Sequence, residues 1–405
     1  MFKKYISFWL IPVLMAAAIN TAAQNQVTDE KAQEPATHPV ISASNAFAFD
    51  LYKQLSTKAG NVFFSPYSIT VALAMTYEGA RGWTATEMEK VLRLPKDASL
   101  RRDFFAKDLE AFNAGADARI ANAFWTQKDY AFLPAYTEIM RKSYRADAFG
   151  ADFKKAAGAA RLEINKWTSG QTNGRIKDLF PENSLNSLTR LVLVDAVYFK
   201  GKWKTQFDKS LTAEAEFFPR PDAKVKVNMM KRTGEGAEFN YFQTMDIQVL
   251  ELPYKNSGLS MLIILPAEGG LKKLEKELSP VKLDYWRKGL YNTRVDVFLP
   301  RFSLNDRYSL PGTLAKMGMP RAFTDQADFS GMDGSKNLYI QQVVHQGFVE
   351  VNEEGTEAAA ATGVAMGLKS MPMPAPQFRA NRPFIFLIQE SATGKIVFMG
   401  RVEKP

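Results

Sequence analysis

The pattern of apolar and polar positions changes period about halfway along the chain. Over residues 45–55, Phe47, Leu51 and Leu55 recur at helical spacing, which predicts a helix with one buried face. Ser65-Pro66 supplies an N-cap followed by Pro at the first helical position, opening a helix over 69–77. Thr84-Ala85-Thr86-Glu87 reads as a capping box before 88–94, and further helices are expected over 103–112, 135–144 and 159–167. Beyond these the pattern becomes that of strands, at 191–199, 247–252, 259–265, 295–299 and 338–351. Residues 384–389 and 395–402 are predicted to pair as a hairpin around Ala392-Thr393-Gly394. No linker rich in Pro, Gly or Ser divides the halves, and no repeat is present. One large α+β domain is therefore expected rather than several.

Composition narrows the chemistry. At 46% apolar and 23% charged residues, the chain has the make-up of a packed globular protein. The absence of Cys removes disulfides, thiolate nucleophiles and Cys–zinc sites. With only two histidines, His38 and His345, a Ser-His-Asp hydrolase or a His-rich metal site is disfavoured. The net charge of +9 is mildly basic, but no dense basic run points to nucleic acid. Lys224, Lys226, Lys231 and Arg232 form the most notable basic cluster. It makes weak binding of a polyanion such as a sulfated polysaccharide conceivable, against the plainer reading of a solvated face.

The first 23 residues read as a secretory signal. Lys3 and Lys4 precede a mostly apolar stretch, and Thr21-Ala22-Ala23 supplies small residues where cleavage is expected. A membrane anchor is the competing reading, but Ser7 and Pro12 interrupt a run that falls short of the roughly 20 residues needed to span. Residues 24–41 are expected to form a flexible leader, and the mature protein to be exported to the extracellular space or periplasm. Losing Lys3 and Lys4 lowers the formal charge to about +7.

Residues 353–380 are unusual. Glu353-Glu354-Gly355-Thr356-Glu357-Ala358-Ala359-Ala360-Ala361-Thr362-Gly363 has the composition of a short Ala-rich helix. As a strand it alternates differently: Thr356, Ala358, Ala360, Thr362, Val364 and Met366 share one uncharged face, and the charge of Glu357 lies on the other. Such a segment can slot into a sheet with its neutral face inward, or stay exposed as a loop. The repeated Pro in 371–376 keeps the next stretch extended, the shape that protease clefts bind.

Four stretches resemble the serpins in order and spacing over roughly residues 42 to 403. They are Asn61-Val62-Phe63-Phe64-Ser65-Pro66-Tyr67-Ser68 with Glu78-Gly79-Ala80; Leu193 to Trp203; Val344 to Ala358; and Asn381-Arg382-Pro383-Phe384-Ile385-Phe386 with Phe398-Met399-Gly400. The resemblance implies an α+β fold with three β-sheets, about nine helices and an exposed reactive loop in a metastable state, forming a single domain over 42–405. It also implies that the chain is not an enzyme and needs no cofactor or metal. Its partner would be a serine protease, trapped as a covalent acyl-enzyme while the cut loop inserts into the main sheet. A monomer is expected, able to polymerise by loop–sheet exchange. The rival reading is a non-inhibitory carrier or chaperone of the same fold, which would carry a bulky, charged or Pro residue within the hinge Gly355–Thr362; apart from Glu357, none is present.

The family's usual spacing from Gly355 places the scissile bond at Lys369-Ser370, and Lys suits a protease with an anionic specificity pocket. Leu368 and Met366 offer neighbouring bonds to other protease types, whereas Arg379 lies too far beyond the hinge. By motif, Ser65, Ser68 and His345 match a polar cluster beneath the central strands, with Asp195 where Asn is expected. His345 is expected to bond Asp195 and to be favoured in its protonated form, giving a pH-sensitive latch; an ordinary buried His is the plainer alternative. Trp203 is expected where the loop first enters the sheet, with Glu353 paired to Arg301.

Overall fold

The structure, a computed structural model, describes residues 37–114, 118–355 and 375–405, with only the backbone of Asp195 and a few other strand residues. Residues 1–36, with the expected signal and most of the leader, lie outside the described residues.

Ten α-helices and sixteen strands are described. Helix Pro39–Leu55 buries Phe47, Leu51 and Tyr52, the face that the helical spacing marked. Helix Pro66–Gly79 is buried along nearly its whole length, and the Ser65 side chain caps it by accepting from the Ser68 N–H. The capping box is a correction. Helix Gly82–Leu92 begins earlier, with Arg81 at its N-cap and no side-chain cap, because Thr84 is buried and its hydroxyl instead accepts from the Asp328 N–H. Helices Ala98–Ala114, Pro134–Ser143 and Phe153–Gln171 occupy the other predicted places.

Seven strands form the largest sheet. Leu259–Pro266, Phe384–Glu390 and Ile396–Val402 lie at its centre, almost entirely buried, and the last two form the predicted antiparallel hairpin. A four-stranded sheet runs in the order Gln377–Arg379, Asp296–Pro300, Ala223–Arg232, Ala213–Arg220. The last two strands alternate Glu and Lys with small apolar residues, a signal too weak to read as strand in isolation.

The remaining strands form two pieces. Ala118–Gln127 pairs with Asp147–Ala151 on one side and antiparallel to Leu191–Phe199 on the other, while Phe302–Ser309 pairs antiparallel to Val344–Val351. Leu191–Phe199 and Val344–Val351 are neighbours, yet among the described residues no backbone ladder joins them. The third sheet is split along a seam. The predicted strand over 338–351 is shorter than expected, since ladder pairing begins only at Val344.

Candidate functional site

At one end of the seam the chain makes a turn that bridges it. Asn352 and Gly355 pair with each other, and Gly355 also pairs with Lys202, just beyond the Leu191–Phe199 strand. Gly355 has φ +142°, and a Cβ there would lie 2.0 Å from the Gly201 carbonyl oxygen and 2.6 Å from the Lys202 Cα. Only Gly meets both demands. Trp203 is buried, stacked on Tyr254 with ring centroids 4.6 Å apart. Its backbone N–H donates to the Glu354 carbonyl at 2.8 Å and its indole N–H to the Asn352 carbonyl at 2.9 Å. The Phe207 N–H donates to the Glu353 carbonyl at 2.9 Å.

Two consecutive carboxylates are buried in this turn. Glu353 accepts from Arg301 Nε at 2.7 Å, Nη2 of the same guanidinium lies in ion-pair contact at 2.5 Å, and the Thr212 hydroxyl also donates to it. Burial pushes the Glu353 carboxyl up, but the donors from Arg301 and Thr212 outweigh it and hold the pKa below the usual carboxylate value. Glu354 pairs with Lys209. The structure thus brings together Trp203, Arg301, Glu353 and Gly355, with Thr212, Lys209, Glu354 and Tyr254 beside them. No local pattern marks the roles of these four, because each acts through long-range contacts.

Below the turn, Ser65, Ser68 and His345 meet beside the seam. The Ser65 N–H donates to His345 Nε2 at 2.9 Å, and the Ser65 hydroxyl donates to the Val397 carbonyl at 2.7 Å. Among the described residues the buried Ser68 hydroxyl has no hydrogen-bond partner. A cavity of about 20 Å³ is lined by Leu193 from one strand, Val344 and His345 from the other, and Leu73 and Thr76 from the helix beneath. Asp195 pairs through its backbone with Asn122, and its side chain lies outside the described atoms.

The expected bond from His345 to Asp195 lies outside the described atoms, and the described contact fits the plainer reading of an ordinary buried His. Nε2 receives a hydrogen bond, so it carries a lone pair rather than a proton, and burial pushes the imidazole pKa down to about 3. The group is a neutral buried His. The unfolded chain binds a proton at His345 near the ordinary value of 6.5 while the folded chain binds it only near 3. His345 therefore removes stability as the pH falls through that window, by up to about 1.4 kcal/mol per pH unit. His345→Asn is expected to be less stable at pH 7 but to show a flatter fall between pH 6 and pH 4 in thermal or urea melts; parallel slopes would refute this.

Thr356, Glu357, Ala358, Ala359, Ala360, Ala361, Thr362, Met366, Leu368, Lys369 and Ser370 lie outside the described residues. The described chain stops at Gly355, on the turn, and resumes at Ala375, two residues before the strand Gln377–Arg379. The basic cluster carries less free charge than its sequence suggests, because Lys224 is paired with Glu216 and Lys226 with Glu214. Among the described residues no group of three or more His, Cys, Asp or Glu is placed to hold a metal, and no helix is long and apolar enough to cross a membrane.

The family model described as Serpin (serine protease inhibitor) matches residues 42–405. The chain belongs to the serpin family. An uncharacterised serpin-like protein of Thermococcus kodakarensis is 45% identical over 91% of this chain and 86% of its own length. A leukocyte elastase inhibitor of Xenopus tropicalis is 42% identical over 90% of this chain and 99% of its own. A structure titled Cleaved Serpin 42Da overlays with a TM-score of 0.81 at 35% identity, covering 91% of this chain and 99% of that one. The serpin fold is thus established. The seam lies between the two-stranded and three-stranded pieces, and the described chain stops at the turn that bridges its end.

Proposed function

We propose that this serpin is a secreted suicide-substrate inhibitor of trypsin-like serine proteases, cut at Lys369-Ser370. The observation that carries the reading is the unladdered seam between Leu191–Phe199 and Val344–Val351. It is closed at one end by a turn that leads directly into a segment with one small, uncharged face. The kinship with a leukocyte elastase inhibitor supports the inhibitory part of this reading.

The chemistry requires only the protease's own groups. Its serine oxygen attacks the Lys369 carbonyl carbon, the bond to the Ser370 nitrogen breaks, and Ser370 leaves as a free amine carrying the proton taken from the serine. Lys369 is then an acyl ester on the protease. The freed hinge enters the seam as a strand, gaining backbone hydrogen bonds on both sides, and carries the protease with it. Inhibition results where insertion outruns deacylation. The free protein is monomeric in this account, and loop–sheet exchange between copies is its route to polymers. Export through residues 1–23 places it outside the cytoplasm.

Titration of trypsin with the purified protein tests this. Residual activity is expected to fall linearly to zero near equimolar ratio, and Lys369→Ala to reduce inhibition at least a hundredfold. Equal inhibition by Lys369→Ala would move the bond to a neighbour such as Leu368 or Met366. Full trypsin activity with a clipped loop would reject inhibition of this class of protease.

A further inference from the structure

On the four-stranded sheet, Lys231, Phe298 and Arg379 stand directly opposite one another across three adjacent strands. Being in register, their side chains share one face. The Arg379 guanidinium carbon lies 3.7 Å from the centroid of the Phe298 ring, and the Lys231 ammonium lies 6.0 Å from it. Two cations thus share one half-exposed aromatic ring, an arrangement that holds both side chains in place while leaving their charge unspent.

Their neighbours are treated differently. Lys224 and Lys226, further along the same strand, are each answered by a glutamate of the next strand. Among the described residues Lys231 and Arg379 form no ion pair. The carboxylate of Asp296, on the same face, accepts from the Gly234 N–H at 3.4 Å instead. The row is therefore a fixed, uncompensated positive patch.

Its position assigns the occupant. Arg379 lies on the strand with which the described chain resumes after the reactive loop. No more than about 25 Å of extended chain separates Ser370 from Gln377, whereas a protease domain is about 40 Å across. A protease engaged at Lys369-Ser370 overhangs this sheet. We propose that Lys231, Phe298 and Arg379 form a second contact site that selects target proteases carrying an acidic surface beside the active-site cleft. The inference rests on the inhibitory reading, but its signature is non-covalent and can be read separately.

The experiment uses the full chain and two trypsins, one anionic and one cationic at the surface, each with its catalytic serine replaced by alanine. Both keep the pocket for Lys369, so loop recognition is held constant. At low salt the anionic trypsin is expected to bind about tenfold tighter, and the preference to vanish at high salt as screening sets in. The double variant Lys231→Gln with Arg379→Gln is expected to lose the preference, and Lys231→Arg with Arg379→Lys to retain it. Equal binding of the two trypsins, binding of neither, or a preference that survives the Gln variant overturns the proposal. Loss of sulfated-polysaccharide binding in the Gln variant with the protease preference intact also overturns it, assigning the row to polyanions. Active trypsin run on a denaturing gel reports separately on covalent trapping, so either conclusion can fail while the other stands.

Discussion

Glu353→Lys is expected to convert a storable monomer into a protein that inserts its own loop or polymerises. Glu353 is buried, takes one hydrogen bond from Arg301 Nε and one from Thr212, and has Arg301 Nη2 in ion-pair contact. A lysine there would remove all three acceptor contacts and set an ammonium against the Arg301 guanidinium, in a site with no other described carboxylate on Arg301. Glu353 is buried but the Arg301 side chain is 42% exposed, so breaking the pair costs less than the about 3–5 kcal/mol of a fully buried one. The cost falls on the turn that bridges the end of the seam, so the damage is local opening where a strand can enter. Size-exclusion chromatography after storage near physiological temperature should show loss of monomer, with residual trypsin inhibition falling in parallel. A variant that stays monomeric and inhibitory would show that the Arg301–Glu353 pair does not hold the seam shut. Arg301→Ala, which also strands the Glu353 carboxylate, should fail in the same direction.

Thr356→Arg is expected to turn the inhibitor into a substrate. Thr356 begins the uncharged face of the hinge segment, and as the first residue after the Gly355 turn it must enter the seam before any other. A guanidinium on the inward face has to be desolvated without a partner during insertion. An added ~3 kcal/mol in that barrier slows insertion by roughly a hundredfold, while deacylation of the protease is untouched. The expected result is loop cleavage at the wild-type rate with recovered trypsin activity and almost no covalent complex. Unaltered trapping by Thr356→Arg would mean that the segment does not enter the sheet by this face.

The parts of the fold that were legible in the sequence share a physical reason. Ser65-Pro66 declares a helix start within two residues, and the apolar strand 259–265 declares itself by burial on both faces. Thr84 misled because a capping box and a buried hydroxyl serving a distant N–H look identical in sequence; Asp328, its partner, is far away along the chain. Strands such as Ala223–Arg232 were illegible because their exposed Lys residues are matched by glutamates of Ala213–Arg220, a pairing that exists only once the sheet forms.

The candidate site divides the same way. Arg301 with Glu353, and Trp203 beside Gly355, came from motifs shared with a family. The contacts of Thr212, Lys209 and Tyr254 needed coordinates. His345 was singled out by motif, but its described partner, the backbone N–H of Ser65, could not be, since every residue but Pro offers one. A donor that common leaves no trace in sequence, whereas the acidic partner that sequence did offer, Asp195, invited a charged reading.

The most direct test of the account is amide hydrogen exchange of the two seam strands before and after a single cut at Lys369-Ser370. If the cut loop fills the seam, the amides of Leu191–Phe199 and Val344–Val351 that face it gain partners, and their exchange should slow by orders of magnitude as the thermal midpoint rises. If both strands exchange as fast in the cut protein as in the intact one, the loop has not entered the sheet, and the trapping mechanism proposed here is wrong.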